Sequence, residues 1–460
     1  MQGLKCEEII KAVNGILVSG DINEVFMNIS TDSRKISEGD LFIPLIGENF
    51  DGHNFISKSL EAGAAGVITQ KEHNGYGGKA VIKVEDTLQA LKDIASYYRS
   101  KFKIPFTGIT GSVGKTSTKD MVASVLNQRF NVLRTEGNFN NEIGLPLTIL
   151  RLDSFHEAAV IEMGMSGFGE ISSLTSIVKP HIAIITNIGL SHIEKLGSRQ
   201  NILKAKMEIL EGLDKDGLVI LNGDDKLLYG LKNLLGFRTL FYGMEEGMDY
   251  QASNISTSGE NGSEFDITIN NAEYHICVPV PGVHNVYNAL AAIAAGIELG
   301  MPMDKIIRGI ADFKPGKMRQ NIISHNGIKI INDAYNASPQ SMEAGINVLK
   351  DIAGNNRTVA ILGDMLEMGD WAEKAHKDVG MFAVSKGIDY ILTVGNNALN
   401  IAAGAAESEN MPDKVFSFIS NKDVNEFLKG FVKKGDTILV KGSRGMKMEE
   451  IVNYLCSIDN

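Results

Sequence analysis

Residues 104–130, IPFTGITGSVGKTSTKDMVASVLNQRF, decide the fold, because an apolar strand (IPFTGIT), a glycine-bearing loop and a helix follow one another without interruption. In the loop GITGSVGKTSTK (108–119), glycines at 108, 111 and 114 let a backbone approach an anion with no Cβ in the way. Consecutive N–H groups and the following helix N-terminus then supply the positive pole. The expected guest is the phosphate chain of ATP. Thr110, Gly111, Ser112, Val113 and Gly114 would cradle it, Lys115 would reach the β- and γ-phosphates, and the Thr116 hydroxyl would help hold Mg²⁺. A strict GxxxxGK[ST] pattern needs Gly at 109, where the chain has Ile109; the shorter TGxxGKT form fits instead.

Working outward, further apolar strands follow the loop: EAAVIEMG (157–164), HIAIITNIG (181–189) and GLVILNGDD (217–225), with helical stretches between. Near-continuous apolar strands alternating with helices indicate a mostly parallel α/β sheet covered on both faces. Upstream, residues 1–103 mix short apolar runs such as DLFIPLIG and AVIKV with turns, and end in an amphipathic helix in which Leu88, Leu91, Ile94, Ala95 and Tyr98 share one face. Downstream, FKPGKMRQN (313–321) suits a linker, and IKIINDAY, TVAILGDM, YILTVG and DTILVKGS repeat the strand–helix alternation. At roughly 150 residues per domain, the 460 residues divide into three: 1–103, 104–314 and 315–460.

Composition narrows the function classes. A formal net charge of −11 argues against a nucleic-acid partner, which needs a basic footprint. Cys6, Cys277 and Cys456 are the three cysteines; they lie far apart, with no disulfide or zinc-knuckle spacing, so a reducing cytoplasm is the expected home. The N-terminus MQGLKCEEIIKAVNGILV lacks signal-peptide character, and no run approaches the roughly 18 apolar residues of a membrane span. A soluble, monomeric protein with no membrane insertion is expected.

Other residues are ambiguous on their own. Glu162 ends the strand AVIEMG, where doubly wound sheets present ligand-facing groups, but a solvated carboxylate fits equally. His192 in TNIGLSHIEKLGS also follows a strand and reads alone as a surface residue. Lys206 in KAKMEIL reads alone as an exposed helix lysine, and Asn288 in HNVYNALAA as an ordinary helix-face amide. Ser30, Asp32, Ser33 and Arg34 (within STDSR) and DGH at 51–53 are turn formers. Lys441, Ser443 and Arg444 in KGSR suit either a carboxylate site or a glycine turn with solvated charges.

Together with the short loop, the segments TDSRKISEGDLFIPLIGENFDGH (31–53), EGNFNNEIGLPLTIL (136–150), IEMGMSGFGEI (161–171), HNVYNALAA (284–292), INDAYNASPQSM (331–342), ILGDMLEMG (361–369) and LVKGSRGMKMEEIV (439–452) resemble the Mur ligases, ATP-dependent amide-forming enzymes of peptidoglycan synthesis. GDMLEMG and KGSRGMKME favour the family member that adds a dipeptide. The resemblance implies a small N-terminal α/β domain holding a UDP-sugar, a central P-loop-type parallel-sheet ATPase domain and a C-terminal Rossmann-like domain. It implies UDP-N-acetylmuramoyl-tripeptide and D-alanyl-D-alanine as partners and an acyl-phosphate route. It makes Glu162, His192 and Lys206 metal-site residues for two Mg²⁺, with Lys206 carbamylated and Lys115, Lys206 and His192 catalytic. Asn288 would meet the adenine, and Arg319 and Asp333 the ATP phosphates and ribose. STDSR, Asn138 and Asn141 would bind the muramoyl substrate, and KGSR the dipeptide carboxylate. Wording departs from the usual family form at Lys317, Asn332, Ala334 and Ser338. Two rivals stand at this point: a related ligase with another amine acceptor, such as a folylpolyglutamate synthase, and a catalytically silent nucleotide-binding protein.

Overall fold

In the computed structural model, which describes residues 1–72, 77–407 and 412–458, large sheets of five, nine and six strands follow one another along the chain. The strand Phe106–Thr110 is buried along its whole length and lies between Ala158–Glu162 and Ile182–Ile185, parallel to both. Burial on both faces is why these strands read as unbroken apolar runs. The parallel order continues through Leu218–Asn222 and Arg238–Gly243, and Val132–Arg134 closes the other edge. Parallel strands bring their C-terminal ends to one rim, so the glycine loop, Glu162 and the segment after Ile185 converge there.

The nine-stranded sheet is less uniform than the sequence reading expects. Beyond Tyr250–Thr257 it ends in two antiparallel strands, Ser263–Ile269 and Ala272–Val278. Here Ser263, Phe265 and Ile267 point inward while Glu264 and Asp266 point out, the alternation of a sheet with one wet face.

The helix Lys115–Leu126 starts at Gly114, whose φ is +86°. It packs against His284–Glu298, where Ala289, Ala291, Ala292, Ala294 and Ala295 are fully buried. Small side chains allow the two helices to approach closely behind the loop.

The N-terminal sheet orders Ile16–Ser19, Ala80–Lys83, Gly66–Thr69, Asp40–Phe42 and Asn28–Ser30, antiparallel only in its first pair. The helix Thr87–Ser100 is capped by Asp86, which accepts from the N–H groups of Leu88 and Gln89. It buries Leu91, Ile94, Ala95 and Tyr98, and the Tyr98 hydroxyl donates to Leu152 O at 2.7 Å, tying it to the turn that leads into the strand Ala158–Glu162. Residues 313–320 form neither helix nor strand. The C-terminal sheet orders Asn321–His325, Ile328–Asp333, Thr437–Lys441, Thr358–Gly363, Tyr390–Val394 and Val415–Phe418, again antiparallel only in its first pair. One buried apolar cluster joins all three sheets, including Leu91, Ile161 and Leu362. Among the described residues no helix is long and apolar enough to cross a membrane.

Candidate active site

Two of the three loop glycines are required by the turn itself. At Gly111, φ is +150° and a Cβ would lie 1.9 Å from Thr186 Oγ1. Gly114 starts the helix in the left-handed region, where a side chain is strained. Gly108 corrects the sequence reading: it lies inside the strand, and a Cβ there would meet Met163 Cε at 3.0 Å, so it serves packing and not the loop. Thr110 is fully buried and donates to Met163 O at 2.9 Å, supporting the loop from beneath. Asn187 fastens the loop's middle, accepting from Ser112 N at 3.0 Å and, through its side chain, from Val113 N at 2.9 Å. The helix's first N–H groups have no partner within the helix and remain for an anion.

Beside the loop, two lysines converge on one carbonyl. Lys115 Nζ donates to Gly111 O at 2.7 Å and Lys206 Nζ donates to the same oxygen at 2.9 Å. Lys206 is 1% exposed, which removes the exposed-helix reading. Burial, and then the Lys115 charge, push its ammonium well below the usual lysine range. Burial also lowers Lys115, with Arg319 adding to the effect and Glu162 opposing it. Lys115 also donates to Ser112 O at 3.3 Å, so two desolvated cations are met by neutral carbonyls in a site short of negative charge.

Glu162 is equally incomplete. It is 1% exposed; Oε1 accepts from Asn140 Nδ2 at 2.8 Å, while Oε2 is buried without a hydrogen-bond partner. A buried, unfilled carboxylate oxygen calls for a cation. With the Thr116 hydroxyl and the unpartnered Ser112 Oγ near the loop, the donor set consists of oxygens, which fits Mg²⁺.

Contacts of Arg319 with Thr116 and of His192 with Glu367 join the C-terminal segments to the central ones, and others fix side chains within each part. Arg319 Nη2 donates to Thr116 Oγ1 at 3.0 Å and its guanidinium lies 4.0 Å from the Tyr335 ring centroid. His192 adopts φ +63° and its Nδ1 meets Glu367 Oε2 at 2.5 Å. Asp333 Oδ2 accepts from Lys441 Nζ at 2.7 Å, and Lys441 also donates to Asn336 O at 3.0 Å. Asn288 Oδ1 accepts from Thr118 Oγ1 at 2.8 Å, so the amide is anchored to the loop's own helix.

These residues surround a cavity of about 810 Å³ lined by Lys115, Thr116, Asn138, Asn141, Glu162, His192, Asn288, Arg319, Asp333 and Lys441 among others. The remaining site candidates lie off it. Lys206 sits behind the wall. Ser443 is 3% exposed and its Oγ accepts from Leu366 N at 2.9 Å. Arg444 pairs with Glu449 at 2.8 Å. Asp32 pairs with Arg34 at 2.8 Å, and Ser30 Oγ accepts from Asp32 N at 3.2 Å, while Ser33 is half-buried beside them. Asn140, Asn187 and Glu367 escaped the sequence reading. All three lay inside quoted motifs, EGNFNNEIG, HIAIITNIG and GDMLEMG, and only their partners reveal what they do.

Patterns described as "Mur ligase family, catalytic domain", "Mur ligase middle domain" and "Mur ligase, glutamate ligase domain" match residues 25–99, 109–296 and 318–444. The UDP-N-acetylmuramoyl-tripeptide–D-alanyl-D-alanine ligase of Bacillus subtilis (strain 168) is 43% identical over 452 residues, covering 98% of this chain and 97% of that protein. The chain belongs to the Mur ligase family. The same-named ligase of Escherichia coli (strain K12) is 34% identical over 99% of both chains. A crystal structure of MurF from Acinetobacter baumannii superposes on this Mur ligase with a TM-score of 0.93 at 30% identity over 100% of both chains. MurF ligase from Thermotoga maritima in complex with ADP superposes at 0.83 and 27% identity, covering 93% of this chain and 96% of that one.

Proposed function

We infer that this Mur ligase joins D-alanyl-D-alanine to UDP-N-acetylmuramoyl-tripeptide in peptidoglycan precursor synthesis, converting ATP to ADP and phosphate. The observation that carries this reading is the cation-rich, incompletely neutralised loop at the mouth of a cavity shared with the C-terminal sheet, in a chain 43% identical over nearly its full length to a ligase of that name. A carboxylate oxygen of the tripeptide attacks the γ-phosphorus, the bond to the β-phosphate oxygen breaks, and an acyl phosphate forms. The dipeptide amine then attacks the acyl carbon, phosphate leaves with its oxygen, and the amine loses a proton.

Both reactants of the first step are anions, so this chain's residues must offset their repulsion. Lys115 swings from Gly111 O to the transferring phosphoryl group, and the helix N-terminus holds the phosphates in line. Arg319 reaches the same place from the C-terminal side and couples nucleotide binding to closure of that unit. Asn288 and Asp333 meet the adenine and ribose. Glu162, Thr116, His192 and Lys206 would hold two Mg²⁺, which supply charge neutralisation to the phosphoryl oxygens. Asn140 keeps Glu162 aimed.

Lys206 is suited to carbamylation because burial and the Lys115 charge lower its proton affinity and so ease loss of the ammonium proton. Once the ammonium has given up one proton, the nitrogen attacks carbon dioxide, an N–C bond forms and a second proton departs, turning an uncompensated cation into an anionic oxygen donor.

Within this reading, residues 1–103 hold the UDP-sugar through Ser30, Asp32, Ser33 and Arg34, residues 104–314 activate the carboxylate, and residues 315–460 present the dipeptide. Asn138 and Asn141, which line the cavity, face the sugar and peptide. Lys441, Ser443 and Arg444 receive the dipeptide carboxylate, with Arg444 as the most exposed of the three. The enzyme works as a cytoplasmic monomer.

The test is phosphate release from ATP with UDP-N-acetylmuramoyl-tripeptide, with and without D-alanyl-D-alanine, against a panel of single amino acids. Release that depends on the dipeptide is expected. Release driven equally by single amino acids would reassign the acceptor, and release with no acceptor at all would leave only nucleotide binding.

A further inference from the structure

The antiparallel pair that closes the nine-stranded sheet carries a second cluster of chemistry, away from the cavity. Ala272–Val278 is the open edge strand, and its register sets Glu264 opposite Cys277 and Asp266 opposite His275. Because side chains alternate along a strand, all four point outward from the buried Phe265 and Ile276. None of them lines the catalytic cavity.

Donor atoms of Glu264, His275 and Cys277 all lie within 4.8 Å of one another. His275 Nε2 and Glu264 Oε2 are 3.6 Å apart, too far for a good hydrogen bond. Metal–ligand bonds of about 2.0–2.3 Å at a tetrahedral angle separate two ligands by roughly 3.3–3.8 Å, so this pair already has the span of two ligands to one ion. Asp266 Oδ1 meets the other ring nitrogen, Nδ1, at 2.7 Å, and Asp266 is itself held by Asn254 Nδ2 at 2.9 Å. A carboxylate on Nδ1 sets the tautomer that leaves Nε2 with its lone pair free, as it does behind metal-bound histidines.

We propose that the outer face of this hairpin binds a divalent transition ion of the zinc class, with His275 Nε2, Cys277 Sγ and a Glu264 oxygen as ligands and water in the fourth position. The mixed nitrogen, sulfur and oxygen set selects a borderline ion over Mg²⁺, which prefers oxygen alone. Partial burial and then the Glu264 carboxylate hold the Cys277 thiol above its usual range. Binding breaks the S–H bond, releases that proton to solvent and forms the S–metal bond. The ion would staple the sheet's last two strands and blunt an edge otherwise open to pairing.

The test is titration of the reduced, chelator-stripped full-length enzyme with Co²⁺ in excess Mg²⁺. One equivalent should bring up thiolate-to-Co²⁺ charge-transfer absorption that Zn²⁺ abolishes. Cys277→Ser should lose the band, His275→Ala should bind Zn²⁺ at least about 10-fold more weakly, and Asp266→Asn should lose about 10-fold. All three side chains are on the wet face, so the variants should keep wild-type circular dichroism. No band in the wild type, a band that survives Cys277→Ser, or undiminished Zn²⁺ affinity in His275→Ala would overturn the proposal.

Discussion

Lysine charge on the cavity wall and behind it is met in opposite ways at Lys441 and beside the glycine loop. In the C-terminal sheet, Lys441 lies 2.7 Å from Asp333 and also donates to Asn336 O, so the charge is answered within the protein. Beside the glycine loop, Lys115 and Lys206 meet at the carbonyl of Gly111, Lys115 also donates to Ser112 O, and an oxygen of Glu162 has no partner. A buried pair that satisfies itself braces a fold; a cluster left out of balance is arranged for charges that come from outside. Both groups line the same cavity, through Lys441 and through Lys115, but one reaches it already neutralised and the other reaches it short of negative charge.

The most severe way to break this contrast is Lys115→Ala. Turnover should fall by about 10³-fold, the scale for removing one preorganised charge at a reacting centre, with the fold intact by circular dichroism. Turnover near wild type would remove Lys115 from the phosphoryl step. At the self-satisfied pair a cost in stability should accompany any loss of binding. Asp333→Asn leaves Lys441 buried without its counter-charge and should cost about 3 kcal/mol in urea unfolding, and adding Lys441→Met should recover most of it. A single variant as stable as the wild type would show that the pair is no brace.

Lys206→Ala should lower turnover by about 10²-fold, with bicarbonate giving no rescue and small carboxylates restoring part of it. Full activity would end its assignment to the metal site. The smallest effect concerns pH. Because Lys206 is held below the ordinary lysine value of 10.5, the unfolded chain binds more protons between the folded value and 10.5. Stability of the ligand-free enzyme should therefore rise with pH through that window, and fall as pH drops through the folded value, by at most about 1.4 kcal/mol per pH unit for each such group. Lys206→Met should flatten the rise in melting temperature and stabilise the ligand-free enzyme near neutral pH. An unchanged slope would place the proton deficit elsewhere.

Much of this was legible in the chain. Strands buried on both faces must be apolar throughout, so IPFTGIT, AAVIE and IAII announce a parallel sheet, and the loop between strand and helix announces its anion site. The antiparallel ending was harder to see, because SEFDITI buries one face only and its alternation is short. At the site, residue types pointed to candidates without their state. Gly108 looked like a loop glycine but packs against Met163, and Lys206 looked like a surface lysine but is buried.

Sequence alone determined the parallel strand–helix alternation, the glycine loop between strand and helix and the family, since each rests on local pattern and on spacing along the chain. Tertiary structure alone decided that Lys115 and Lys206 meet at one oxygen, that Asn140 aims Glu162, and that Asp333 answers Lys441 across 108 residues. Burial and electrostatic partnership depend on distances between segments remote in sequence, and those distances exist only once the sheets have packed.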